Sequence, residues 1–156
     1  VNISIKDFTQ ADYENYLSYA IGGYAAANIK SGRWTKENGY ANSKKQFESL
    51  LKDGLKSEGH FFWKICLDEK KIGDFWFHRL PKDLEKVFVY DTAIVEEYQS
   101  QGIGTTSFSI IQERLKALGI RKIGLHVFAH NTGAIRLYER LGFEYTSHNM
   151  SYSLDG

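Results

Sequence analysis

Cysteine occurs once, at Cys66, so the chain cannot close an internal disulfide, and a cytoplasmic setting is the simplest expectation. Proline also occurs once, at Pro81, in a connection between two strands. Charge of one sign is lacking. A net charge of +1 carries no electrostatic footprint of a nucleic-acid binder. No apolar run is long enough to span a bilayer, and no charged-then-apolar leader opens the chain. Neither a membrane nor a nucleic acid is therefore an expected partner. Repeats, low-complexity tracts and linkers are missing too, so residues 1–156 are expected to form one domain around one core. Aromatics are plentiful, with 10 Tyr, 10 Phe and 3 Trp, which favour strands and can line a ligand cleft.

Alternation predicts a first strand over Asn2 to Phe8. Thr9, followed three residues later by Asp12, predicts a helix start, with a helix from Gln10 through Ala20 that Gly22-Gly23 bends or breaks. A second helix is expected from Ser43 to Leu55. From His60 onward the chain turns aromatic and β-prone, with strands over Phe61–Leu67 and Ile72–Leu80 joined by the polar turn Asp68–Lys71. A strand over Lys86–Val95 follows, then a helix whose Phe108, Ile111, Leu115 and Leu118 share one face and which Gly119 ends. Lys122–Phe128 reads as a strand with His126 opposite Ile123, Leu125 and Val127. Asn131 opens a last helix that Gly142 stops, and Phe143–Ser147 and Met150–Leu154 read as two closing strands. A hairpin sheet followed by βαβ crossovers is an α/β layer with a mixed sheet.

The stretch Gln99-Ser100-Gln101-Gly102-Ile103-Gly104-Thr105 joins a strand to a helix through two glycines. The first amides of a helix have no internal partner and carry positive potential, so such a junction can hold a phosphate. The dinucleotide fingerprint wants a third glycine, where Ser107 stands, and the phosphate-binding lysine loop wants Gly-Lys, where Gly104 is followed by Thr105. A nicotinamide enzyme is thus a distant reading. A turn that needs glycine for geometry alone stays open on these residues.

Gln99-x-x-Gly102-x-Gly104 after the fourth strand, then Leu125-His126-Val127, Asn131, Ala134, Leu137-Tyr138 and Gly142-Phe143, resemble the GNAT superfamily of acetyl-CoA-dependent N-acyltransferases. The resemblance covers residues 86 to 145. It implies a mixed, mostly antiparallel twisted sheet flanked by helices, and acetyl transfer from acetyl-CoA to a primary amine by direct attack in a ternary complex. Acetyl-CoA would be the co-substrate, with no metal. The acceptor would be a small-molecule or peptide amine, and a homodimer is left open. The loop Gln99, Ser100, Gln101, Gly102, Ile103, Gly104 and Thr105 would hold the pyrophosphate. Thr92, Ala93 and Ile94 would pair with the pantetheine arm, and an amide near Ile94 would polarise the thioester carbonyl. Gln99 and Gln101 stand where many relatives carry Arg or Lys.

From periodicity alone, Tyr138 reads as a packed core aromatic and Asn131 as a plain N-cap. The resemblance makes Tyr138 the expected proton donor to the leaving sulfur. Asn131, seven residues earlier, is then expected to cap the helix and bind the coenzyme as well. For the base, His126 and Asp91 are the candidates, while Glu96 and Glu97 read as solvated charge. Tyr24, Trp34, Phe75, Trp76 and Tyr152 are candidates for acceptor contacts, although each reads first as a core residue. The rival reading is a non-catalytic acyl-CoA-binding sensor, which needs the glycines but neither Tyr138 nor a base.

Overall fold

Thr9 begins the first helix by a reciprocal cap. Its hydroxyl accepts from the Asp12 amide at 3.1 Å, and its own amide donates to the Asp12 carboxylate at 2.8 Å. The computed structural model describes residues 2–99 and 102–155. Among them, β1 (Ile3–Asp7) leads into α1 (Gln10–Lys30) and α2 (Gly39–Leu50). Then come β2 (His60–Leu67), β3 (Lys70–Leu80) and β4 (Asp83–Ile94), followed by α3 (Ile103–Ala117), β5 (Lys122–Leu125) and α4 (Thr132–Leu141). The strands form one sheet in the order β1-β2-β3-β4-β5, antiparallel except for the parallel β4–β5 pair. The α/β, mostly antiparallel architecture agrees with the expectation.

Side chains alternate across the pleat and so build two cores. Trp63, Ile65, Phe75, Phe77, Val87 and Val89 face α3, where Ile111 and Leu115 cover them. Phe62 and Trp76 face α1 and α2, under Tyr13, Tyr16, Ala20 and Phe47. Arg114 of α3 donates to the Ile5 carbonyl at 2.6 Å and lies over the Trp63 ring, which anchors α3 beneath β1.

Four expectations about elements need correction. Gly22-Gly23 does not break α1, because buried Tyr13, Tyr16 and Ala20 before it and Ala25 and Asn28 after it hold one helix on the sheet. Packing overrides a propensity penalty of about 1 kcal/mol per glycine. The second helix starts and ends four or five residues earlier than expected, and Gly54–Lys56 forms a separate short 3-10 turn. β5 stops at Leu125, so His126 lies beyond the strand. Phe143–Ser147 and Met150–Leu154 form no strands. They find no ladder partner among the described residues, and Met150, Tyr152 and Leu154 are left exposed.

No helix among the described residues is long and apolar enough to cross a membrane.

Candidate active site

The site begins where two neighbouring strands part. β4 pairs with β5 only from Lys86 to Val89, although β4 runs on to Ile94. Opposite β3, Asp91 lies across from Trp76 and Val89 across from Phe77, so Tyr90 is the extra residue of a β-bulge. The bulge reverses the alternation. Val87 and Val89 face α3, whereas Asp91 shares the α1 face with Trp76. Past the bulge the edge of β4 that faced β5 has no strand partner among the described residues, and it borders a cleft of about 370 Å³.

Thr92, Ala93 and Ile94 form one wall of this cleft, and Gln99, Gly102, Gly104 and Thr105 form its end. Asn131 and Tyr138 of the α4 segment close the other side, and Phe75, Val89, Ile111 and Leu125 line its floor. The structure thus brings together nine residues expected from sequence. Ile103 is different. Its side chain is buried in the core, so only its amide belongs to the helix mouth. Ser100 and Gln101 lie outside the described residues.

Gly102 holds the N-cap of α3 with φ +75°, a left-handed conformation that suits glycine. Among the described residues no side chain caps this end, no acidic residue occupies the first turn, and the Thr106 amide returns to the Gly102 carbonyl, at 3.1 Å. The amides of Ile103, Gly104 and Thr105 therefore have no partner within the helix. Gly104 has no positive φ. A Cβ there would sit 3.6 Å from Leu137 and 3.8 Å from Ile94, which is ordinary contact. Gly102 is needed by the backbone, then, and Gly104 is not. The bareness of Gly104 leaves room beside unpaired amides, as close approach of an anion requires.

Asn131 occupies the N-cap position of α4, but its side chain makes no capping bond, which corrects half of the double role expected for it. Tyr138 packs edge-on to Phe143, 5.5 Å between ring centres, and its hydroxyl makes no hydrogen bond among the described residues. Burial first, and the nearby Asp91 charge second, push its phenol up to about 12, so it keeps its proton at neutral pH. Desolvation raises the Asp91 carboxyl above the ordinary range, and the neighbouring Asp74 adds to this. Hydrogen bonds from Tyr16 and the Thr92 amide oppose it. His126 is exposed, stands edge-on to Phe128, and is not part of the cleft wall.

Of the expected acceptor residues, Tyr24 and Trp34 meet edge-to-face at 5.6 Å. Phe75 is cleft floor, Trp76 is buried under α1, and Tyr152 is 87% exposed and does not line the cleft. Cys66 is buried in β2. Among the described residues no group of three or more His, Cys, Asp or Glu side chains is placed to hold a metal ion.

Sequence reasoning missed Tyr16, Tyr19 and Asp74. Tyr16 falls on the apolar face of a helix, where a tyrosine reads as packing, and Tyr19 carries no signal in the sequence. Asp74 did give a signal, as a lone carboxylate inside the aromatic run Ile72–Leu80. Ser107 was noted as a missing glycine. It is buried at the cleft, and its hydroxyl has no partner among the described residues.

Residues 25–143 match the profile of the acetyltransferase (GNAT) family. The chain belongs to this family. It is 35% identical over 156 residues to the uncharacterized N-acetyltransferase YycN of Bacillus subtilis (strain 168), covering 99% of this chain and 100% of that one. YdgE of the same strain, also named an N-acetyltransferase, is 29% identical over 97% of this chain and 98% of its own. The crystal structure of Bacillus subtilis YycN superposes with a TM-score of 0.94 at 33% identity, covering 98% and 99% of the two chains. The PaiA N-acetyltransferase of Thermoplasma acidophilum, solved in complex with coenzyme A, shares the fold with a TM-score of 0.71 at 19% identity, covering 96% and 94%. This GNAT chain is an acetyltransferase of a family that uses acetyl-CoA, and the reading as a non-catalytic sensor gains no support.

Proposed function

We propose that this GNAT chain transfers an acetyl group from acetyl-CoA to a primary amine, small-molecule or peptide, by direct attack within a ternary complex. The observation that supports the reading is Asp91 at the β4 bulge, next to the cleft wall of Thr92–Ile94, with the cleft-lining Tyr138 near enough to feel its charge. The Asp91 carboxyl is part-buried, and the Tyr138 phenol on α4 keeps its proton. A carboxyl and a protonated phenol this near one another suit a base and an acid.

In this reading the amides of Ile103, Gly104 and Thr105 receive the pyrophosphate, and the free edge of Thr92–Ile94 receives the pantetheine arm as an added strand. Asn131, with an uncommitted side chain, contacts the arm from the opposite wall. Acetyl-CoA supplies an acetyl group activated on sulfur, and the Ile94 amide polarises its carbonyl oxygen. Asp91 takes one proton from the acceptor ammonium, and the freed amine attacks. The C–N bond forms as the C–S bond breaks, and Tyr138 gives its proton to the departing sulfur. The second N–H proton restores Tyr138, and Asp91 releases its proton to solvent. His126 is not needed.

The test is coenzyme A release, followed with a thiol reagent, for a panel containing an alanine-ended peptide, spermidine and an aminoglycoside. We expect release with at least one of them, and loss of the acid limb of the rate profile in Asp91→Asn. Acetyl-CoA binding with no release for any amine would count against the proposal.

A further inference from the structure

The sheet face beneath α1 carries two carboxylates, and α1 brings one phenol to each. Tyr16 donates from its hydroxyl to Asp91 Oδ2 at 2.5 Å, and Tyr19, one turn later, donates to Asp74 Oδ2. The two pairs differ in what else holds them. Asp74 also meets Lys71 at 2.8 Å. Asp91 has no cation within ion-pair distance among the described residues, so its charge rests on the Tyr16 phenol and the Thr92 amide. The remaining titratable groups that face Asp91 are Asp74 from β3, Tyr19 from α1 and Tyr138 from α4. Each of these favours a neutral Asp91 or leaves it unchanged. Tyr16 is therefore the one side chain that stabilises the ionised carboxylate, the form a base needs.

Tyr16 is also set where it cannot drift. It has no exposed surface, and its ring packs edge-on to Phe8, Tyr19, Phe62 and Trp76. Burial and the adjoining carboxylates raise its phenol well above the ordinary tyrosine range, so it remains a donor at every working pH. The bulge at Tyr90 is what turns Asp91 to this face. Without the extra residue the carboxyl would follow Val89 toward α3, out of reach of α1.

We propose that Tyr16 is a positioning residue for acetyl transfer, which pins one oxygen of the Asp91 carboxylate so that the acceptor's proton passes to a fixed and ionised group. This rests on Asp91 acting as the base. Tyr16 touches neither acceptor nor coenzyme in this account and acts through Asp91 alone.

The experiment follows the Asp91 carboxyl directly. Protein labelled with carbon-13 aspartate is titrated by NMR, with the signal assigned through Asp91→Asn. The acid limb of kcat/KM is then measured with whichever amine of the panel is acetylated. Tyr16→Phe keeps the ring and removes the donor. We expect the Asp91 midpoint and the acid limb to rise together by about one pH unit, the scale of one lost hydrogen bond to a charged form. Site-specific 3,5-difluorotyrosine at position 16 strengthens the donor and should move both downward, which gives a second variant should Tyr16→Phe fold poorly. Tyr19→Phe is the control and leaves both where the parent has them, since Asp74 keeps Lys71. A midpoint that moves with neither Tyr16 change overturns the positioning role, even if Asp91→Asn is inactive. A midpoint that moves while the limb stays put, or an Asp91→Asn variant with full activity and an unchanged limb, overturns the assignment of Asp91 as base instead.

Discussion

Gln99 donates from Nε2 to the Ile94 carbonyl at 2.7 Å, which ties the approach to α3 to the end of β4. The phosphate end of the cleft and its thioester end are thereby fixed to each other. The Gln99 amide is spent on the backbone. Gln99→Leu removes this tie without adding charge. One neutral hydrogen bond is worth about 1 kcal/mol, so KM for acetyl-CoA should rise about fivefold with little change in kcat. Steady-state kinetics with acetyl-CoA varied checks this, and a fall in kcat alone would contradict it.

Tyr138→Phe keeps the ring against Phe143 and removes the hydroxyl that faces the cleft. Turnover should fall about tenfold or more, as loss of general acid help does, while acetyl-CoA affinity barely moves. Rapid-quench turnover beside calorimetric binding separates the two. Unchanged turnover removes the acid role.

Gly104→Ala divides fold from ligand. The new methyl meets only ordinary contacts, and alanine is the better helix former by up to about 1 kcal/mol. The free protein should melt no lower than the parent. Acetyl-CoA should bind about tenfold or more weakly, because the methyl occupies the approach to the first-turn amides. Thermal melting with and without coenzyme reads both effects. Equal affinity in the two proteins places the pyrophosphate elsewhere.

Asp91→Asn should uncouple activity from stability. The folded carboxyl has a raised pKa, so the folded state holds this proton more tightly than the unfolded chain, and ionisation opposes folding. Below the unfolded value of 3.8 the aspartate carries no such penalty, and above it the penalty grows as pH rises through the folded pKa. The Asn variant should therefore match the parent near pH 4 and melt higher than the parent near pH 7, with transfer lost. Melting curves across that range give the sign, and a parent that is the more stable at neutral pH contradicts it.

His60 lies stacked on His78 at 4.3 Å and accepts from Trp76 Nε1 through Nδ1 at 3.0 Å. Burial, and then His78, lower its pKa from 6.5 to about 4. Unfolded His60 takes up a proton near pH 6.5 and folded His60 does not until about 4, so its contribution to stability is full above 6.5 and is lost as pH falls toward 4. His60→Gln should flatten the denaturation midpoint across that window. An unchanged slope assigns the acid sensitivity to other groups.

Local chemistry was legible in the chain, and distant pairing was not. The Thr9–Asp12 cap, the Gly102 turn and the helix stops at Gly119 and Gly142 are set by neighbours in sequence, and the structure has them all, both stops with positive φ. The nine cleft residues follow from the resemblance to the GNAT superfamily, not from those junctions alone. The facing of Asp91 depends on an extra residue relative to β3, seen only once two strands are in register. Alternation over Met150–Leu154 likewise marks a tendency that no neighbouring edge completes. Tyr16 and Asp91 are 75 positions apart, and no periodicity links a helix face to one strand residue at that range.

No residue of α4 is fully buried, and Tyr138 itself is only part-buried. A segment with so little packing opens at small free-energy expense, so its amide hydrogens should exchange with deuterium sooner than those of β3, whose centre is wholly enclosed. Coenzyme lodged between Thr92 and Tyr138 would then stiffen α4 as it binds. Measured affinity would be the contact energy less the entropy of that ordering, and a shortened coenzyme fragment lacking the pantetheine arm would leave the helix as labile as before.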